Sequence, residues 1–304
     1  MPMITAVSLR YFAEVVSAGS IRAAAERLFV AASAISRQIG LLEDELGAPL
    51  LERGPGRTVL RLTAAGELLM RHVRHVDHEV DRVRSEIEAL KGLRKGHVRL
   101  GVVETFVREV VPDLLQRFNA RYPGITYQVE VAPTTRLIEL IGQDELDVAI
   151  TFNPPPSLRV KHVYERTLET CVLVAHHHPL ARLETLKLSD CAAYGLAMPD
   201  ETISAKRDQD EMFARARIEP RKVLVTNSYE LMRSVAETGM AVALVNARPG
   251  DSADMPGFRY VPIRDSRVKH QRLTLCTCEG RTPSPIAAVF IETLKQEFTQ
   301  LETA

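Results

Sequence analysis

Between Leu69 and Leu90 the apolar residues fall at spacings of 4, 3, 4, 3, 4 and 3: Leu69, Val73, Val76, Val80, Val83, Ile87 and Leu90. A repeat averaging 3.5 residues is the seam of a coiled coil, with Val73, Val80 and Ile87 at a positions and the other four at d. The residues between them are mostly Arg, His, Asp and Glu, as a solvated helix face requires. Residues 63–94 are therefore expected to form one helix, which at about 1.5 Å per residue spans roughly 45 Å. β-branched a positions favour two strands, so the seam predicts pairing with a second copy. The alternative for the same stripe is packing against the chain's own domain. Either way, a helix of this length separates a short N-terminal part from a long C-terminal one.

The N-terminal 62 residues read as short helices and a hairpin. Leu9, Phe12, Val15 and Val16 keep helical spacing up to Ala18-Gly19, and Ser20 can cap a second helix through Ala23–Leu28. A third runs from about Ser33 through Ile35, Ile39 and Leu42 to Gly47. Two short helices joined by Phe29-Val30-Ala31-Ala32 fit a helix-turn-helix. The stretch from Arg53 to Leu62, with β-favouring residues on either side of a Gly/Pro turn, looks like a hairpin wing. Beyond residue 95 the pattern alternates strand and helix, which implies largely parallel sheets covered by helices. About 200 residues of this cadence suggest two α/β subdomains with a cleft between them.

Composition narrows the partners. The chain of 304 residues balances 39 Lys+Arg against 39 Asp+Glu, so bulk charge alone cannot bring it to nucleic acid. No basic segment hides in the average: residues 1–62 hold seven Arg and six acids, residues 63–96 seven basic and six acidic groups, and the rest 25 against 27. A hydrophobic fraction of 45% with 26% charged residues describes a globular chain. Four scattered cysteines make no disulfide framework. No apolar run is long enough for a membrane helix, and the N-terminus lacks the layout of a secretory signal, so a cytoplasmic protein without a membrane partner is expected.

In open α/β sheets ligands bind beyond the carboxyl ends of strands, often at helix N-termini. Thr105 follows one strand; Thr134 and Thr135 follow the next. Ser204 begins a helix in the second subdomain, and Asn227-Ser228 caps another. All are also ordinary N-cap residues. Taken together, hydroxyls and helix starts favour a small carboxylate or similar anion.

Over essentially its whole length the sequence resembles the LysR-type transcriptional regulators. The matching residues are Leu9-Arg10-Tyr11-Phe12, Gly19-Ser20 with Ala24-Ala25-Glu26-Arg27-Leu28, and Ser33-Ala34-Ile35-Ser36-Arg37-Gln38-Ile39. They continue with Leu42-Glu43, Glu45-Leu46-Gly47, Leu51-Glu52-Arg53 and Leu62-Thr63-Ala64-Ala65-Gly66; the C-terminal half adds Leu146-Asp147-Val148-Ala149-Ile150 and His178-Pro179-Leu180-Ala181. The resemblance implies an α + α/β architecture. A winged helix-turn-helix occupies 1–62, a dimerising linker helix 63–94 and a periplasmic-binding-protein-like effector domain 95–304. Its subdomain I covers about 97–163 plus 266–304 and subdomain II about 164–265. The implied function is sequence-specific control of transcription, modulated by a small-molecule inducer. Implied partners are operator DNA, further copies in a homodimer or homotetramer, and RNA polymerase.

A recognition helix sets its N-terminal residues against base edges. Those positions are Ala31, Ala32, Ser33 and Ser36, with Arg37 and Gln38 behind them, while Arg53 and Arg57 suit a wing following the backbone. The family commonly has Ser then Gln where this chain has Ala31 and Ala32, which removes a cap and a base-reading amide; alanines can instead touch thymine methyls. In the effector half, Thr105, Thr134 and Ser204 hold places matching family inducer sites, with Phe152 at the pocket wall.

Other constellations carry less. His72, His75 and His78 at i, i+3, i+6 read as solvated surface, since helical metal sites prefer i, i+4 pairs with further ligands. Cys276 and Cys278 share one strand face and read as packing; with Cys171 and Cys191 they leave a redox-responsive regulator as an alternative. A small-molecule binding protein without a DNA role is the other. No Gly-x-Ser-x-Gly elbow, Walker loop or dinucleotide glycine pattern occurs, so neither an enzyme nor a cofactor is expected.

Overall fold

A computed structural model describes residues 4–52, 60–90, 95–108, 110–246, 254–255 and 257–300. The chain divides into two compact units, residues 1–83 and 84–304.

The first unit holds α1 (Ala6–Ala18), α2 (Ile21–Leu28), α3 (Ala32–Leu46) and the beginning of α4 (Ala64–Leu90). Thr5 caps α1 in a reciprocal box with Ser8, and Ser20 caps α2 by accepting from Ala23 N–H at 3.1 Å. Gly47 ends α3 at φ +64°, a left-handed conformation that glycine adopts without a Cβ penalty. Phe12, Val15, Ala24, Ile35, Ile39, Leu42 and Leu50 make the core. Leu51 and Leu62 form an antiparallel bridge at the base of the expected wing, where Glu43 Oε1 accepts from Leu50 N–H at 2.8 Å. The wing tip, with Arg53 and Arg57, lies outside the described residues.

The start of α4 belongs to this core. A Cβ on Gly66 would stand 2.1 Å from the Leu50 carbonyl oxygen, so only glycine admits the helix this close. Leu69 (7% exposed) and Val73 (3%) pack into the same cluster. The sequence expectation of one continuous seam is corrected accordingly. Its first two members are covered by their own unit, whereas Val76, Val80, Val83 and Ile87 stand 39–49% exposed. Leu90 ends the helix.

The second unit carries two sheets. The first has the order β2-β1-β3-β11-β4, from β1 (Gly96–Val102), β2 (Ile125–Val131), β3 (Val148–Phe152), β4 (Val160–Leu168) and β11 (Gln271–Cys278). Helices α5 (Val110–Arg121), α6 (Thr134–Gly142) and α9 (Pro285–Gln300) cover it through Leu114, Phe118, Leu137, Ile141, Phe290 and Leu294. The second has the order β7-β6-β8-β5-β10-β9, from β5 (Thr170–Ala175), β6 (Leu196–Pro199), β7 (Lys222–Thr226), β8 (Val242–Asn246), β9 (Asp254–Met255) and β10 (Phe258–Pro262). Helices α7 (Ala205–Ala216) and α8 (Tyr229–Glu237) flank it. Val172 and Val174 of β5 pack with Met212 and Phe213 of α7, while Cys171 and Leu173 pack with Tyr229 and Met232 of α8. That is the period of two with both faces buried.

Three expectations change. The chain leaves the first sheet after Leu168, because β4 pairs with β11 along its full length, so residues 164–168 belong to the first subdomain. Val268 still packs in the second sheet's core, so the return falls just before Gln271 and not at 265/266. The segment after β1 is a short 3-10 turn, Glu104–Phe106, followed by α5 from Val110 onward, so Thr105 lies inside the turn and is not an N-cap.

Candidate functional site

On α3, Ile35, Ile39 and Leu42 face the core, so the helical period turns Ser33, Ser36 and Arg37 to solvent; Gln38 is half-buried at the boundary. Ala31 sits at the N-cap with no side-chain bond, which leaves the first N–H groups of α3 uncovered by any cap. Between α2 and α3, Phe29 has φ +55° and is 95% exposed. In the sequence it stands out only as an aromatic among Val and Ala at a helix joint.

Within the second unit, a cavity of about 370 Å³ lies between the two sheets. The first sheet's side supplies Thr105 from the 3-10 turn, Pro133-Thr134 at the start of α6, and Phe152 at the end of β3. The other side supplies Ser204, Asp208 and Gln209 from the start of α7, and Asn227-Ser228-Tyr229 from the start of α8. Five of the six expected effector residues thus meet on one cavity. Thr135 does not: one helical step beyond Thr134, it is exposed and off the wall.

The hydroxyls differ in what they are free to do. Thr134 Oγ1 donates to the Phe152 carbonyl at 3.2 Å and accepts from Phe152 N–H at 3.4 Å, pinning α6 to the end of β3. Ser204 makes no cap bond and stays exposed. Capping of α8 falls to Ser228, which accepts from Leu231 N–H at 3.2 Å and leaves Asn227 on the wall. Glu104, the neighbour of Thr105 and absent from the strand-end candidates, reaches across the cleft. Its Oε1 accepts from Ser228 Oγ at 2.9 Å and its Oε2 from Tyr229 N–H at 2.5 Å. Beside it Arg108 approaches Glu230 at 3.6 Å. The strand-end rule that selected Thr105 applied equally to this carboxylate.

Asp147, in the motif Leu146–Ile150, has a structural job. It accepts from Arg99 N–H at 2.8 Å, and pairs with Arg99 at 2.9 Å and Arg281 at 3.3 Å. Redox sensing needs an accessible thiolate; Cys171, Cys191 and Cys276 are buried, and Cys278 is half-buried. Burial, helped by Asp190, pushes Cys191 up to about 12, and burial pushes Cys276 up to about 11. His72 and His75 are exposed but His78 is buried, against the expectation of solvated surface for all three. Among the described residues no group of three His, Cys, Asp or Glu could hold a metal ion, and no helix is long and apolar enough to cross a membrane.

Two family models match the chain. One, the bacterial regulatory helix-turn-helix protein of the lysR family, covers residues 7–67, and the other, the LysR substrate binding domain, covers 91–299. The transcriptional regulator YybE of Bacillus subtilis (strain 168) is 26% identical over 293 residues, which are 96% of this chain and 98% of that one. Full-length CbnR complexed with its target DNA is similar with a TM-score of 0.63 at 25% identity, covering 96% of this chain and 99% of that one. The effector binding domain of QuiR in complex with shikimate shares the fold at a TM-score of 0.55 and 20% identity, covering 68% of this chain and 98% of that one. The chain belongs to the LysR family of transcriptional regulators. It is a DNA-binding regulator with a helix-turn-helix at the front and an effector-binding domain behind it.

Proposed function

We propose that this protein is a cytoplasmic, dimeric regulator that reads an operator with α3 and senses a small carboxylate in the cleft of its second unit. The observation that carries this reading is the convergence of Thr105, Thr134, Phe152, Ser204 and Asn227 on one cavity bounded by helix starts. Such a wall offers N–H and hydroxyl donors to an anion. The shikimate held by QuiR is a molecule of this kind. On the DNA side, Ser33 and Ser36 contact phosphate or base edges, Arg37 reads a guanine or bridges phosphates, and Arg53 and Arg57 follow the backbone. With only a small positive excess in residues 1–62, counterion release per copy is modest. Pairing through Val76, Val80, Val83, Ile87 and Leu90 supplies the second half-site. The effector acts by favouring one of two placements of the half-sites. The protein performs no reaction of its own in this scheme.

Two measurements test it. In gel-shift titrations with DNA flanking its gene, Arg37→Ala should lose roughly 1–3 kcal/mol of operator affinity; unchanged affinity refutes the role of α3. A thermal-shift panel of small carboxylates on the full chain should yield ligands that also change the gel shift, and a panel in which none does refutes the carboxylate.

A further inference from the structure

The start of α8 is the place in the cleft where an anion is expected, and the chain fills it with its own carboxylate. Glu104 takes both the Ser228 hydroxyl and the Tyr229 N–H, so the positive end of α8 is already met. Asp208 lines the same cavity and accepts from Asn153 Nδ2 at 3.3 Å. An independent observation points the same way. Gln209, on the wall and 5% exposed, donates through Nε2 to the Leu244 carbonyl at 3.0 Å, which fixes its amide orientation; its Oε1 has no hydrogen-bond partner. A buried acceptor without a donor is costly, and a ligand that draws the amide oxygen toward it and brings the donor removes the cost. Among the described lining residues Lys269 is the one cation, and Glu211 holds it at 2.7 Å and Asp208 at 3.9 Å.

We propose that Glu104 and Gln209 determine which effectors the cleft accepts. The α7–α8 wall takes a hydrogen-bond donor, a hydroxyl or an ammonium, and turns away a second carboxylate. The effector is then a monocarboxylate bearing such a donor, with its carboxylate toward the N–H groups at the start of α6, which no side chain caps. This rests on the carboxylate reading above and adds what the rest of the molecule carries.

The test uses the full chain and two matched probe sets, cyclohexanecarboxylate and pentanoate, each plain and with a hydroxyl, an amino or a second carboxyl group at the far end. Affinities are measured by calorimetry. Donor-bearing members should bind about tenfold tighter than the plain acid, and the dicarboxylates weaker still. Glu104→Gln, which keeps one acceptor oxygen for the Tyr229 N–H and turns an NH2 donor to Ser228 Oγ, should remove the penalty on the dicarboxylates and any preference for ammonium over hydroxyl. Gln209→Leu should flatten the hydroxyl preference. Plain acids or dicarboxylates matching the donor-bearing probes on the wild-type chain overturn this proposal alone, as do unchanged ratios in folded variants. Failure of every member of both sets to bind overturns it together with the carboxylate reading.

Discussion

Leu69 and Val73 on one side, and Val76, Val80, Val83 and Ile87 on the other, belong to one helix, one repeat and nearly one residue type, yet their surroundings are opposite. The first pair is sealed in the core of the N-terminal unit; the other four face solvent in the single chain. The repeat specifies which side of α4 is apolar and says nothing about what covers it. What divides the stripe is Gly66, whose missing Cβ lets the first turns of α4 lie against Leu50. Past those turns the same apolar face has run off the end of its own domain. A long row of exposed valines and isoleucine on a charged helix is costly to leave in water, and it fits the a/d register of a second helix.

Cutting the two halves separately should give different losses. Leu69→Ala should cost the N-terminal unit about 2–5 kcal/mol, read by denaturant unfolding of that unit, with association through α4 retained. A loss confined to association would show that the first half is an interface after all. Val80→Glu with Val83→Glu should do the converse, giving monomers at micromolar concentration by sedimentation while unfolding of the N-terminal unit shifts by only about 0.5 kcal/mol. A dimer that survives both charges would remove α4 as its seat. Val76→Ala, at the border between the halves, should have the smallest effect, with unfolding within about 0.5 kcal/mol of wild type and a slight weakening of the dimer.

The same distinction explains what was legible in the sequence. Period and capping chemistry are local, so α1 to α4, the helix-turn-helix and most of the α/β cadence could be read from Ser20, Gly47 and the spacing of apolar residues. β4 could not, because Lys161, His162, Glu165 and Arg166 interrupt its run and only pairing with β11 makes it a strand. In the cleft, strand-end logic found Thr105, Thr134, Ser204 and Asn227. It erred at Thr135, one helical step too far, and missed Glu104, whose partners lie more than a hundred residues away. A side chain that could cap its own helix and one that crosses a cleft look alike until the other wall is in place.

The strand order of the first sheet has a consequence for synthesis. β11 lies between β3 and β4, and the whole second sheet, from β5 to β10, is one unbroken stretch of chain inserted before it. On the ribosome, where domains fold as they emerge, the inserted lobe is complete while its predecessor still has an open seam. The sheet that is begun first is closed last, by a strand made only after its neighbour has finished.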